Sequence, residues 1–120
     1  GIVSPVVEGV LGITPRAGER KLRVTPQLPT GWDQVALHRL RVGDAWFAVQ
    51  AKRTQQGYAV SVQGDAPDYT IDVGLYLPAG VQVQTVLLNG ETVNWRWESN
   101  QAGRCLVCTA VGQAELVVLL

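Results

Sequence analysis

Short runs of alternating or β-branched residues, separated by turn signals every eight to twelve positions, run the length of the chain and predict an all-β fold. No stretch keeps a helical period. Leu22-Arg23-Val24 alternates and stops at Pro26, and Pro26-Gln27-Leu28-Pro29-Thr30-Gly31 must be a loop, because its prolines remove ladder donors and fix φ. Gly43-Asp44 reads as a two-residue type II′ turn. Counting outward pairs Val42 with Ala45, Leu40 with Phe47 and His38 with Val49 on a core face. The opposite face places Arg41 beside Trp46, a cation–π contact, and Arg39 beside Ala48. Tyr58, Val60 and Val62 alternate in the next strand, and Ile71, Val73, Leu75 and Leu77 form one side of the strand from Tyr69. Asn89-Gly90 predicts a type I′ hairpin between Val81–Leu88 and Glu91–Glu98, pairing Val86 with Val93, Gln84 with Trp95 and Gln82 with Trp97. Two final strands, 104–110 and 113–120, turn at Gly112. The continuous apolar run from Leu116 to Leu120 predicts a last strand covered on both faces. The expected architecture is one antiparallel β-sandwich of about eight or nine strands over residues 1–120.

Composition narrows the function. The chain has 120 residues, 47% of them hydrophobic and 17% charged, with 10 Lys+Arg against 10 Asp+Glu. A zero formal charge lacks the basic excess that nucleic acid or an anionic membrane surface would require. No apolar run approaches the roughly 20 residues of a membrane-spanning helix. The chain begins at Gly1 and contains no Met, which reads as a piece of a longer protein. Residues 1–15, with Ile2, Val3, Val6, Val7, Val10, Leu11 and Ile13, are too apolar for an exposed first strand. They are expected to form a junction to another domain, with Val6, Val10 and Ile13 at the interface.

Candidate chemistry is sparse. Cys105 and Cys108 have CxxC spacing but lie in a strand-like segment, where they point to opposite faces and sit about 10 Å apart along the chain. They are expected to be inert, and unpaired cysteines lean toward a reducing compartment. With one histidine, a structural zinc site lacks ligands, so no metal or cofactor is expected. His38 has no nucleophile beside it. The acidic residues fall at turns and strand edges rather than as a paired acid and base, and no Walker, GxGxxG, HExxH or GxSxG motif occurs. An enzyme complete in this chain is not expected. Trp95 and Trp97, on one strand face about 7 Å apart with Gln82 and Gln84 opposite, could offer a carbohydrate platform. The competing reading packs both indoles into the core or against a neighbouring domain. Trp32 is expected to pin the Pro-rich loop to the sheet.

Ser4-Pro5-Val6-Val7-Glu8-Gly9-Val10-Leu11-Gly12-Ile13-Thr14-Pro15, then Leu22-Arg23-Val24-Thr25-Pro26-Gln27-Leu28-Pro29-Thr30-Gly31-Trp32 and Leu40-Arg41-Val42-Gly43, resemble the C-terminal region of bacterial glycoside hydrolases with a six-hairpin (α/α) barrel, of the glycogen-debranching and α-L-rhamnosidase type. The resemblance implies a β-sandwich that packs against and stabilises an upstream barrel. It also implies that the catalytic carboxylates lie upstream, and no residue here matches them. The function expected is a non-catalytic accessory domain whose partner is the upstream catalytic domain of the same chain. The alternatives are a carbohydrate-binding module using Trp95 and Trp97, and a freestanding extracellular interaction domain.

Overall fold

In the computed structural model, residues 5–120 are described, and they form two packed β-sheets. The strands are β1 (Ile13–Arg16), β2 (Lys21–Val24), β3 (Gln34–Val42), β4 (Ala45–Arg53), β5 (Gly57–Gly64), β6 (Thr70–Leu77), β7 (Thr85–Leu88), β8 (Glu91–Thr92), β9 (Arg96–Asn100), β10 (Gly103–Val111) and β11 (Ala114–Leu119). One sheet is five-stranded, in the order β1-β2-β6-β10-β9, and the other six-stranded, in the order β3-β4-β5-β11-β7-β8. The all-β sandwich is therefore as the sequence predicts, with 11 strands rather than eight or nine. Among the described strands one pair is parallel, β2 with β6, Leu22 opposite Ile71 and Val24 opposite Val73.

The core lies between the sheets and follows the period-2 pattern. Val35, Leu37, Leu40 and Val42 from β3, Phe47 and Val49 from β4, Val60 and Val62 from β5, and Leu116 and Val118 from β11 face Leu22, Val24, Ile71, Val73, Leu75 and Leu106 of the other sheet. Tyr69, just before β6, is 1% exposed. Its hydroxyl donates to the Val42 carbonyl at 3.0 Å, and its ring meets Phe47 edge to face at 5.2 Å between centroids. One side chain thus joins the start of a five-stranded-sheet strand to the end of a six-stranded-sheet strand.

Four expectations are corrected. First, a helix does form: α1, Pro5–Leu11. It buries Leu11 fully, with Val7 and Val10 packed against the core. Burial of one face outweighs the poor helix propensity of Val and Gly. Second, His38 does not oppose Val49; Leu37 does, because β3 carries a bulge between Leu37 and Leu40. His38 and Arg39 both face solvent, and the core alternation resumes at Leu40. The turn itself is as expected, with Val42 opposite Ala45, Gly43 at φ 62° and Asp44 outside the positive-φ region.

Third, the Asn89-Gly90 turn has both residues at positive φ, as type I′ requires, but its ladder ends after Leu88–Glu91 and Leu87–Thr92. The chain then leaves the six-stranded sheet, and Trp97 pairs with Leu106 of β10 in the five-stranded sheet. The pairs Val86–Val93, Gln84–Trp95 and Gln82–Trp97 are therefore not made. Fourth, β11 lies centrally between β5 and β7, yet only its inner side is buried. On the outer side Glu115 is exposed, while Val117 and Leu119 are half-buried.

Candidate functional site

Trp95 and Trp97 remain neighbours, brought together as β9 begins. Their rings meet edge to face at 86°, 5.1 Å between centroids, and they are 36% and 38% exposed. They neither enter the core nor lie flat side by side. The Arg104 guanidinium stacks over Trp97 at 4.1 Å and donates from Nη2 to the Val81 carbonyl, leaving its Nε without a partner among the described residues. Gln82 and Gln84 are exposed and precede β7 outside any strand. The cluster offers indole edges and a cation; a flat platform lined by amides is not present.

The outer face of the five-stranded sheet is closed by its own side chains. Arg23 on β2 reaches across β6 and β10 to Glu98 on β9, Nη2 to Oε1 at 2.6 Å, and Arg96 Nε bonds the other carboxylate oxygen at 3.1 Å. Gly74 makes room for the neighbouring strand β10: a Cβ there would lie 2.3 Å from the Leu106 carbonyl oxygen and 3.3 Å from Cys105 Sγ. Beneath the Arg23–Glu98 strap Cys105 and Val107 are wholly buried, although they point outward. Nearby, Thr109 Oγ1 donates to Asp72 at 2.8 Å, and Asn100 Nδ2 donates to the Tyr76 hydroxyl at 2.8 Å. Arg20, at the edge, holds Asp68 through a bidentate contact.

These pairings bear on the reaction chemistry. The hydrogen bond from Arg23 holds the Glu98 carboxyl below its usual range, and that from Arg20 does the same to Asp68. A general acid for glycoside hydrolysis needs the opposite shift. Cys105 and Cys108 are both free and buried, and burial pushes each thiol up to about 11. That suppresses the thiolate on which cysteine chemistry depends. Cys108 faces the core and Cys105 the strap, as alternation along a strand requires. Among the described residues no group of three or more His, Cys, Asp or Glu could hold a metal ion.

The outer face of the six-stranded sheet differs. The Arg39 and Arg41 guanidiniums lie 4.7 and 5.6 Å from the Trp46 ring centroid, so the expected Arg41–Trp46 contact forms, and Arg39 joins it from the same face. Beside them a shallow depression of about 420 Å³ is lined by Gln50, Lys52, Ala59, Ser61, Gln63 and Val117, among others. A second depression, lined partly by His38, Ala36 and Ala48, shares Gln50, Ser61 and Gln63. The sequence named Arg41 and Trp46 only as a surface pair. The signal for the wider face was the unbroken apolar run Leu116–Leu120.

Of the residues expected at a domain junction, Val6 lies outside the described side chains. Val10 and Ile13 are half-buried and pack against the domain's own core. Trp32 is 38% exposed. Its loop is tied down by backbone bonds, Tyr76 N–H to the Pro26 carbonyl and Arg53 N–H to the Asp33 carbonyl.

Compared with known proteins, residues 16–74 match the family model for the glycosyl hydrolase family 65 C-terminal domain. Over that segment, which runs from the end of β1 into β6, the chain is similar to a β-sandwich accessory domain of glycoside hydrolases, as its sequence motifs lead one to expect. No curated protein and no solved structure matches the chain.

Proposed function

We propose that the chain is the C-terminal β-sandwich of a family 65 glycosyl hydrolase, non-catalytic itself, which packs against and stabilises an upstream catalytic (α/α) barrel of the same polypeptide. The observation that carries this reading is the family match over residues 16–74. The state of the carboxylates supports it: the shifts at Asp68 and Glu98 run downward, away from the protonated form an acid catalyst keeps. The test removes residues 16–120 from the longer polypeptide. Loss of melting temperature in the catalytic domain, together with no aryl-glycoside hydrolysis by this chain alone, is the expected result. A catalytic domain of unchanged stability, or hydrolysis abolished by a single Asp or Glu substitution in this chain, would overturn the proposal.

A second reading, carbohydrate binding at Trp95 and Trp97, is favoured by the exposure of both indoles. Saturable quenching of tryptophan fluorescence by glucans or rhamnose-containing glycans, lost on Trp97→Ala, would establish it; Gln82 and Gln84 would then act only through the loop before β7.

A further inference from the structure

The two outer faces of the sandwich are built on opposite principles. The five-stranded sheet pairs most of its arginines internally, Arg23 and Arg96 with Glu98 on its face and Arg16 with Glu19 at its edge, while Lys21 stands exposed without an ion pair. On the outer face of the six-stranded sheet no ion pair forms among the described residues. Arg39, Arg41 and Lys52 stand there without an ion-pair partner, Arg41 Nε bonding the Gly43 carbonyl at 3.0 Å, and the Glu115 carboxylate accepts a 3.4 Å hydrogen bond from Gln63. Asp65, at the rim, accepts the Trp46 backbone N–H at 2.9 Å. Between the arginines and the apolar strip of Val117, Leu119 and Leu87 lie the small side chains Ala48, Ala59 and Ser61, each opposite a longer one, Gln63, Lys52 and Gln50.

Each part of that face suits protein contact. Trp and Arg dominate binding energy at interfaces, and an arginine already stacked on an indole loses little freedom when a partner arrives. Ala48, Ala59 and Ser61 cost little side-chain entropy to cover, and Gln50 and Gln63 beside them offer hydrogen bonds to a partner. The run Leu116–Leu120 has the sequence of a strand covered on both sides, whereas the fold covers one. The unpaired cations fix the sign of the partner: it carries carboxylates.

We propose that the outer face of the six-stranded sheet, anchored by Arg39, Trp46 and Arg41, is the surface that docks on an acidic patch of the catalytic domain. The inference rests on the accessory-domain reading above. It is tested by producing this chain and the catalytic domain of its parent polypeptide separately and measuring their association by calorimetry. The variants are R39E/R41E and Trp46→Ala on this face, with Lys21→Glu on the other sheet as the comparison, each checked for native circular dichroism. The expected result is association of the wild-type chain that weakens with added salt, falls at least tenfold in R39E/R41E and in Trp46→Ala, and is unchanged in Lys21→Glu. Association that survives both six-stranded-face variants leaves the accessory role standing and overturns this face as its site. No association of the wild-type chain removes both. Self-association or saturable glycan binding lost in R39E/R41E, without binding to the catalytic domain, would also overturn the proposal, by assigning the face to a different occupant.

Discussion

Tyr69 is the residue on which the most structure converges. It is buried, its hydroxyl is bonded to the opposite sheet, its ring packs on Phe47, and Arg20 lies over it at 4.8 Å. Tyr69→Phe leaves the Val42 carbonyl without its donor and should cost about 1–2 kcal/mol. A shifted urea midpoint at unchanged slope would show it; an unshifted midpoint would mean that water replaces the hydroxyl. Gly74 acts by absence. Gly74→Ala sets a methyl against the Leu106 carbonyl and Cys105 and should destabilise by about 1–3 kcal/mol, read from the same titration. Neither role was legible in the sequence. Tyr69 stood there as the first residue of a strand, and what makes it a tie is the position of Val42, 27 residues away. Core positions such as Ile71 and Val73 were legible, because a half-buried strand repeats its pattern locally.

At the scale of elements, the two-residue turns were readable and the extents of their hairpins were not. Gly43-Asp44 and Asn89-Gly90 set backbone angles on their own. Residues 91–100, however, face two competing partners, β7 behind and β10 ahead, and the segment divides between them, changing sheets at Val93-Asn94-Trp95. The bulge in β3 was hidden for a related reason: an extra residue keeps both flanking patterns intact and slips only the phase between them. Deleting His38 should therefore return β3 to plain alternation at little cost. Deleting Arg41 turns Val42 off the core face and should abolish cooperative unfolding, as thermal scans of the two deletions would show.

The Arg23–Glu98 strap gives a test of a different kind. Cys108 is shielded by the core, Cys105 by the strap. Glu98→Gln should accelerate alkylation of Cys105 and leave Cys108 slow, a difference that peptide mass spectrometry after timed labelling would resolve. The pH dependence has a definite sign. Glu98 is held below its usual range when folded, so its contribution is present above about pH 4.3, the ordinary glutamate value, and is lost as pH falls through the folded value. With both side chains about a third exposed (28% and 34%), that contribution is about 1 kcal/mol or less. Glu98→Gln should narrow the gap between wild-type and variant stability on the acid side, measured as midpoints between pH 6 and pH 3.

For the molecule as a whole, the sequence conveyed the class of fold, because turn spacing and strand period are repeated many times over. Sheet membership was out of reach, since the parallel β2–β6 pair joins segments far apart in the chain and no local pattern encodes it. The same distance hid the face around Trp46, which gathers residues of β3, β4, β5 and β11. The six-stranded sheet also predicts how the domain responds to loss of material. Without Ala114–Leu119, β5 and β7 have no common neighbour, and the inner side chains Leu116 and Val118 leave the core. A chain ending at Gln113 should show no cooperative melting transition, whereas adding residues 113–120 as a synthetic peptide should restore one.

That arrangement imposes a timetable on synthesis. β11 follows the other described strands in chain order, yet it sits inside its sheet between β5 and β7. On the ribosome, β3, β4 and β5 can pair as they emerge, and β7 with β8 after them, but the two groups stay unjoined until β11 clears the exit tunnel. The sheet closes in one late step, and an interrupted translation product would keep an open β5 edge for a chaperone or protease to find.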